Sequence, residues 1–181
     1  MKKLGYVFIA IVLLISVCGC TADTNNALTA LDKDHSVVVQ NDLEVFSDGD
    51  ISKITERVFG SVPNETYEEG IIADLFANAE AQITSADEST ITYTIVAPDI
   101  SNFFRECAVQ LDSITTSEEL GQTILEYAKT SPTKEYTVTV PYFVEEDDID
   151  VAYDDPDFIN AMTGGLLDAY TALYDMYLSE G

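Results

Sequence analysis

Two stretches of the chain alternate apolar and polar residues with a period of two, and they constrain the fold more than any other feature. They lie at residues 89–97 and 134–144. The alternating apolar residues are Ile91, Tyr93, Ile95 and Ala97 in the first stretch, and Tyr136, Val138, Val140 and Tyr142 in the second. This pattern is typical of antiparallel strands that bury one face and expose the other. We therefore predict a sheet with one face packed on a core.

Each of these strands has a partner nearby in the chain. Residues 79–84 are expected to pair with the first strand across a turn at 85–88. The second strand is expected to return through residues 149–153 after a run of four acids at 145–148. Polar turns of this length are typical of hairpins, which favours an antiparallel sheet.

The remaining segments carry apolar residues at helical spacing, at 51–60, 71–79, 101–111, 117–128 and 156–178. Several have helix-end signals. These are Gly60 as a C-cap, Asp99 or Ser101 as an N-cap, the capping box from Thr116 to Glu119, and the N-cap Asp155 before Pro156. Gly164 and Gly165 fall inside the last segment, where glycine is unfavourable. They predict either a strand crossing close to the helix or a break in it.

Helices and hairpin strands in these proportions predict an α+β fold, with a curved antiparallel sheet packed against helices. Three segments of the chain resemble uncharacterised small lipoproteins of Gram-positive bacteria. They are the run of residues 91–100, the strand pair 135–154 and residues 155–166. The domain of those proteins is similar to the nuclear-transport-factor-like, or cystatin-like, fold. The resemblance implies a sheet wrapped round a helix as a cone, often with a cavity. The predicted helix pair at 101–130 departs from the simplest form of that fold.

The N-terminus has the features of an export signal. A basic start, Met1-Lys2-Lys3, precedes an apolar run from Leu4 to Val17, which is shorter than the ~20 residues of a membrane-spanning helix. The run ends at Cys18-Gly19-Cys20 and a polar stretch follows. This order resembles a bacterial lipoprotein signal. The resemblance implies cleavage before Cys20, lipidation of Cys20, palmitate included, and anchoring at the extracytoplasmic face of the cell membrane.

These features divide the chain into three parts. Residues 1–19 are predicted to be the signal peptide, 20–36 a lipid-anchored linker, and 37–181 a single α+β domain. His35 is the only histidine and falls in the predicted linker. We expect it to be exposed, with no role as a ligand or base.

The charge of the chain limits its partners. It has 33 acidic and 8 basic side chains and a formal net charge of −25, which excludes nucleic-acid binding and attracts cations. The sequence predicts a non-catalytic binding domain for a basic protein, a basic peptide or a cell-envelope component. The alternatives are an immunity-like inhibitor of a basic toxin, a small-ligand or Ca²⁺ binder, and an acid–base enzyme that uses Asp or Glu with Tyr in a conical pocket.

No residue is predicted to be catalytic, and no cofactor or metal site is predicted. The acids at 147–150 and 154–157 lack the spacing of a calcium loop, and turns and helix caps explain them. Cys107 lies in an apolar stripe and is expected to be buried. Three tyrosines at helical spacing could form either a binding surface or the edge of the core: Tyr170, Tyr174 and Tyr177.

Overall fold

The structure, a computed structural model, describes residues 30–59, 67–111, 113–146 and 148–179. In these ranges it contains a four-stranded antiparallel sheet with helices packed against it, which confirms the α+β class. In chain order the elements are α1 (Lys33–Ser47), α2 (Ser52–Phe59), α3 (Tyr67–Phe76), β1 (Glu80–Ala86), β2 (Thr90–Pro98), α4 (Phe103–Glu106), α5 (Ala108–Leu111), α6 (Ser117–Thr130), β3 (Thr133–Glu145), β4 (Asp148–Val151), α7 (Pro156–Met162) and α8 (Leu166–Ser179).

The strands lie in the order β1-β2-β3-β4, and every neighbouring pair is antiparallel. The β2–β3 register runs from Thr90 opposite Pro141 to Pro98 opposite Thr133. Burial alternates along β2, so its threonines lie on the outer face. The predicted alternation in both strands is confirmed, and β1 extends two residues beyond the predicted Thr84.

The buried face of the sheet packs against α1 and α7 around a group of aromatic rings. The Phe46 ring lies 4.8 Å from that of Tyr153 in edge-to-face contact, and the Tyr93 ring lies 5.5 Å from that of Phe158. Such ring pairs stabilise a core beyond the area that they bury. They form the centre of the larger apolar cluster.

A second apolar cluster lies beside the sheet, between α3, α4, α6 and α8. Its buried members include Leu75, Ile100, Phe103, Ile124 and Ala169. The predicted helix pair at 101–130 belongs to this cluster. The capping box at Thr116 is confirmed, since Thr116 accepts from the Glu119 N–H and the Glu119 carboxylate accepts from the Thr116 N–H.

The expectation of an exposed histidine in a linker is wrong. Helix α1 begins at Lys33, capped by Asp32, so residues 33–36 belong to the folded domain. His35 is 9% exposed, and its Nδ1 lies 3.0 Å from Oδ2 of Asp32. His35, Val39, Asp42 and Phe46 follow one helical face, which the core covers. Gly60, the predicted C-cap of α2, lies outside the described residues.

The predicted helix after Pro98 is two short helices, α4 and α5, which meet at Cys107. Neither predicted cap is used: Asp99 instead binds the N–H and hydroxyl of Ser101, and the N-cap Asn102 makes no side-chain bond. Because the helix breaks here, the side chains of Phe103, Phe104 and Cys107 all pack in the second cluster. Ala108, which the sequence places on the same apolar helical face as Cys107, is exposed.

The predicted helix at 156–178 is also broken, between α7 and α8. Asp155 caps α7 with Pro156 in the first turn, as predicted. Gly164 and Gly165 then have φ of +66° and +88°, values that favour glycine. A Cβ on Gly164 would overlap the carbonyl oxygen of Pro98, the last residue of β2. The break and the close crossing, given as alternatives above, therefore occur together.

Candidate functional site

An acidic, partly apolar surface lies on the β3–β4 hairpin, and we call it the hairpin surface. Its members are Phe143, Glu145, Glu146, Asp148 and Asp150. Phe143 is 61% exposed, whereas Val144, 49% exposed, pairs with the buried Ile149 and lies on the other face of the hairpin. The four acids line an open groove, and Phe143 pairs with one of them, Asp150, across the hairpin. An exposed aromatic ring beside a cluster of like charges fits a surface that binds an oppositely charged partner.

The strand pattern places these acids outward. Ile149 and Val151 of β4 are buried, so Asp148 and Asp150, which alternate with them, are exposed. Glu146 forms the turn with φ of 57°, and Glu145 pairs with Asp148 across it. The sequence predicted this acidic turn, but not the two exposed apolar residues that precede it.

Arg57 of α2 neutralises only one end of the hairpin surface. Its Nη2 lies 2.7 Å from Oδ2 of Asp150, its Nε lies 3.6 Å from Oδ1 of Asp154, and Nη1 donates to the carbonyl of Val151. In the part of the chain that the structure describes, no basic side chain pairs with Glu145, Glu146 or Asp148. The tip of the hairpin therefore keeps its negative charge.

A chain of polar side chains crosses the larger core. Lys53, half-exposed on α2, pairs with the buried carboxylate of Asp42. The Tyr93 hydroxyl donates to the Tyr153 hydroxyl at 3.4 Å, and the Asp42 carboxylate lies near enough to act on the pKa of Tyr153. The pKa of Tyr153 lies well above its usual value, mainly through burial, with Tyr93 and then Asp42 adding to it. Burial also raises the pKa of Tyr93, so both phenols are neutral at pH 7.

This chain places an acid near two tyrosines, residue types that can act as general acids and bases. Tyr93 is 0% exposed and Tyr153 2%, with the rings of Phe46 and Phe158 packed on them. A substrate would need access to these atoms, and Lys53 covers the Asp42 end. The arrangement is therefore suited to satisfying buried polar atoms in the core.

The remaining residues singled out from the sequence lie apart from the hairpin surface. Cys107 is buried, as predicted, and burial followed by the charge of Glu106 raises the pKa of its thiol, which disfavours the reactive thiolate. Tyr170 packs its ring 4.9 Å from that of Phe104 and is 45% exposed, while Tyr174 is 65% exposed. Tyr170 therefore lies at the edge of the core and Tyr174 on the surface. Cys20 and the side chain of Tyr177 lie outside the described residues.

The described residues contain no group of three or more His, Cys, Asp or Glu side chains placed to hold a metal ion. No helix among them combines the length and the hydropathy needed to cross a bilayer. Comparison with protein-family models, with curated proteins and with solved structures gave no match.

The buried polar chain was missed by sequence reasoning. The burial of Asp42 can be predicted from the sequence, because Asp42 lies three residues after Val39 and four before Phe46, on the apolar face of α1. A carboxylate on such a face needs a partner. Lys53 and Tyr153 are 11 and 111 positions away in the sequence, so local patterns do not identify them.

Proposed function

We propose that this chain is a lipid-anchored, extracytoplasmic binding domain without catalytic activity, and that its partner is a basic protein or peptide. Cys20 would carry the lipid, including palmitate, and hold the domain at the outer face of the cell membrane. The sequence pattern from Met1 to Cys20 supports the anchor. Among the described residues, the first helix begins at Lys33, 13 positions after Cys20.

The hairpin surface is the observation that carries the binding role. It combines the exposed ring of Phe143 with three acids that have no basic partner among the described residues, Glu145, Glu146 and Asp148. A net charge of −25 attracts a cationic partner over distance, and apolar contacts then hold it. An inhibitor of a basic toxin is one form that this function could take.

A cystatin-like or nuclear-transport-factor-like fold is part of the same proposal. An antiparallel sheet with α1 and α7 on one face supports it. The aromatic rings of Tyr93, Tyr153 and Phe158 fill the space under the sheet, where that fold often has its cavity. This filling favours a surface interaction over a ligand enclosed in a cone.

Neutralising the hairpin surface tests the proposal. The triple variant Glu145→Gln, Glu146→Gln, Asp148→Asn removes three negative charges and leaves the Asp150–Arg57 pair intact. The probe is a fluorescent peptide of alternating lysine and valine, and its affinity is measured by anisotropy at low and physiological salt. We expect affinity to fall on the order of tenfold at low salt, since exposed ion pairs contribute about 0.2–1 kcal/mol each.

A matched control removes the same charge elsewhere. Glu44, Glu56 and Glu126 are exposed acids on helices α1, α2 and α6, and their triple replacement by Gln should change affinity much less. Equal losses in the two triple variants would mean that the peptide responds only to net charge, and the hairpin would not be the site.

The second candidate function is an acid–base enzyme, favoured by the burial of an acid, Asp42, near the paired hydroxyls of Tyr93 and Tyr153. Its substrate would have to displace Lys53 to reach the carboxylate. Replacing Lys53 by Met distinguishes the two functions. If the polar chain is structural, the variant loses stability and gains no binding of small carboxylic or carbonyl ligands. Saturable binding of such a ligand to the variant, lost again with Asp42→Asn, would favour the enzyme.

A further inference from the structure

The pairing of β3 leaves part of one strand edge open. The Asp99 N–H donates to the Pro132 carbonyl at 2.8 Å and the Tyr142 N–H to the Ser89 carbonyl at 2.9 Å. In an antiparallel pair, alternate residues face the partner, so the even-numbered residues of β3 bond to β2. The odd-numbered residues direct their N–H and C=O groups to the other edge.

Strand β4 covers only one end of that other edge. It pairs with residues 142–145, and the Ala152 N–H donates to the Pro141 carbonyl. The backbone groups of Thr133, Glu135, Thr137 and Thr139 lie beyond the end of β4. Among the described residues they have no hydrogen-bond partner on this side, and all four side chains are exposed. We call this stretch the open edge. It is about 20 Å long at ~3.3 Å per residue.

The outer edge of β4 is blocked at several groups, and β1 is interrupted by a register irregularity, whereas the open edge has neither feature. On β4, the Ile149 N–H donates to its neighbour Asp148, and the Val151 carbonyl accepts from Arg57 and from the Tyr153 N–H. On β1, an irregular register between Ile83 and Ser85 interrupts the strand. Bulges and blocked groups are the usual ways in which a sheet prevents pairing at its ends.

We propose that the open edge of β3 is a docking site for an extended, basic segment of a partner protein, which adds to the sheet as a further strand. The inference rests on the proposed binding function and specifies how the partner is held. Backbone groups of the partner would bond to Thr133, Glu135, Thr137 and Thr139, as in other complexes formed by strand addition. Its basic side chains would lie near Glu135 and reach toward the hairpin surface along the same strand.

The negative net charge of the chain favours a basic segment of a partner protein at the open edge over a second copy of the chain. Pairing of two open edges would bring together two molecules that each carry a net charge of −25. Segment 133–151 has a single basic residue, Lys134, whose ammonium lies over the ring of Tyr136 at 4.6 Å. A cationic strand therefore fits this edge better than a copy of β3 does.

Amide hydrogen exchange tests the docking mode residue by residue. The full-length chain in detergent micelles is measured by NMR with and without the lysine–valine peptide. We expect the amides of Thr133, Glu135, Thr137 and Thr139 to exchange rapidly in the free protein and to become protected when the peptide binds. The amides of Lys134, Tyr136 and Val138, already bonded to β2, should be protected in both states.

Two changes keep the charge constant and remove backbone N–H donors at the proposed contact. N-methylation of one alternate set of peptide residues should lower affinity on the order of tenfold, and methylation of the other set much less. On the protein, Thr137→Pro removes an N–H that faces the open edge, and Thr137→Val is its matched control. Pro141 already occupies an equivalent position in β3, which indicates that the strand accepts proline there.

The outcomes separate this inference from the proposed function. Binding that depends on the hairpin acids but leaves the four amides unprotected overturns strand addition and leaves the binding function standing. Protection of these amides in the free protein also overturns it. Such protection would show that the edge is already covered, by a second copy if it rises with protein concentration and by the chain itself if it does not. Absence of any binding contradicts both proposals.

Discussion

At the scale of single residues, Gly164 and Gly165 decide how the C-terminal helices pack. Both have positive φ, but their surroundings differ. A Cβ on Gly164 would meet the rigid backbone of Pro98, whereas one on Gly165 would lie 3.0 Å from the side chains of Ser101 and Tyr136. The helical pattern of the sequence assigns the greater burial to Gly165 and so predicts that its substitution costs more. The structure reverses this order, because backbone atoms cannot move aside as side chains can.

We expect Gly164→Ala to lower the free energy of unfolding by on the order of 3 kcal/mol, from overpacking and the positive φ combined. Gly165→Ala should cost about 1–2 kcal/mol. The control is Gly70→Ala on α3, where a Cβ would meet nothing within 4 Å. It should stabilise the protein by about 0.5–1 kcal/mol. Urea unfolding measures all three, and a larger loss at Gly165 would contradict the crossing of Gly164 over Pro98.

At the scale of elements, Arg57 joins helix α2 to strand β4. Its guanidinium contacts the Val151 carbonyl, the Asp150 carboxylate and, more distantly, the Asp154 carboxylate. These partners lie 93 to 97 positions from Arg57 in the sequence. The guanidinium presents five N–H donors spread over a planar fork and so reaches all three acceptors, whereas the three donors of an ammonium share one nitrogen. The same contacts block the outer edge of β4.

Replacing Arg57 by Lys therefore tests the connection between α2 and β4. We expect the free energy of unfolding to fall by about 1 kcal/mol, since charge is kept but the forked hydrogen bonds are lost. Arg105→Lys, at an exposed position on α4, is the matched control and should change stability by less than about 0.5 kcal/mol. Equal effects of the two substitutions would mean that the guanidinium contacts do not stabilise the fold.

At the scale of the whole molecule, buried tyrosines cause the free energy of unfolding to fall at high pH. Burial and the hydrogen bond to Glu106 raise the pKa of Tyr127 from 10.0 to about 12. The folded chain thus holds this proton more tightly than the unfolded chain. The resulting stability is complete below about pH 10 and is lost as pH rises through 12. Tyr93, Tyr136 and Tyr153 have pKa values shifted in the same direction, mainly by burial.

The free energy of unfolding should consequently fall steeply above pH 10. In Tyr127→Phe the fall between pH 10 and 12 should be shallower, because one of the shifted phenols is absent. Tyr174→Phe, at a side chain that is 65% exposed, serves as the control. Urea unfolding across this pH range gives the slopes. Identical slopes in the two variants and the unmodified protein would show that Tyr127 does not contribute to the alkaline loss.

The proposed anchor also acts on the whole molecule. Replacing Cys20 by Ser should prevent lipidation and either release the protein from membranes or leave the precursor uncleaved. Membrane fractionation and the mass of the N-terminal peptide check both results. A Cys20→Ser protein that is cleaved and still bound to membranes would contradict the lipoprotein proposal.

The sequence by itself determined those features that depend on neighbouring residues. Three such features are found where predicted. They are the two-residue alternation of β2 and β3, the capping box at Thr116 and the N-cap at Asp155. Each arises from steric and hydrogen-bonding preferences that operate within a few positions, so each can be identified locally. The α+β class followed from the order of these elements.

Only the tertiary structure decided the features that join distant residues. The helix break at Cys107 exists because three nearby side chains all enter the second cluster, and the glycine pair is fixed by the end of β2. His35 and Asp42 are buried by elements far along the chain. The open edge exists because β4 is shorter than β3. These outcomes depend on how much surface one element covers on another, which the free energy of packing sets and local propensity does not.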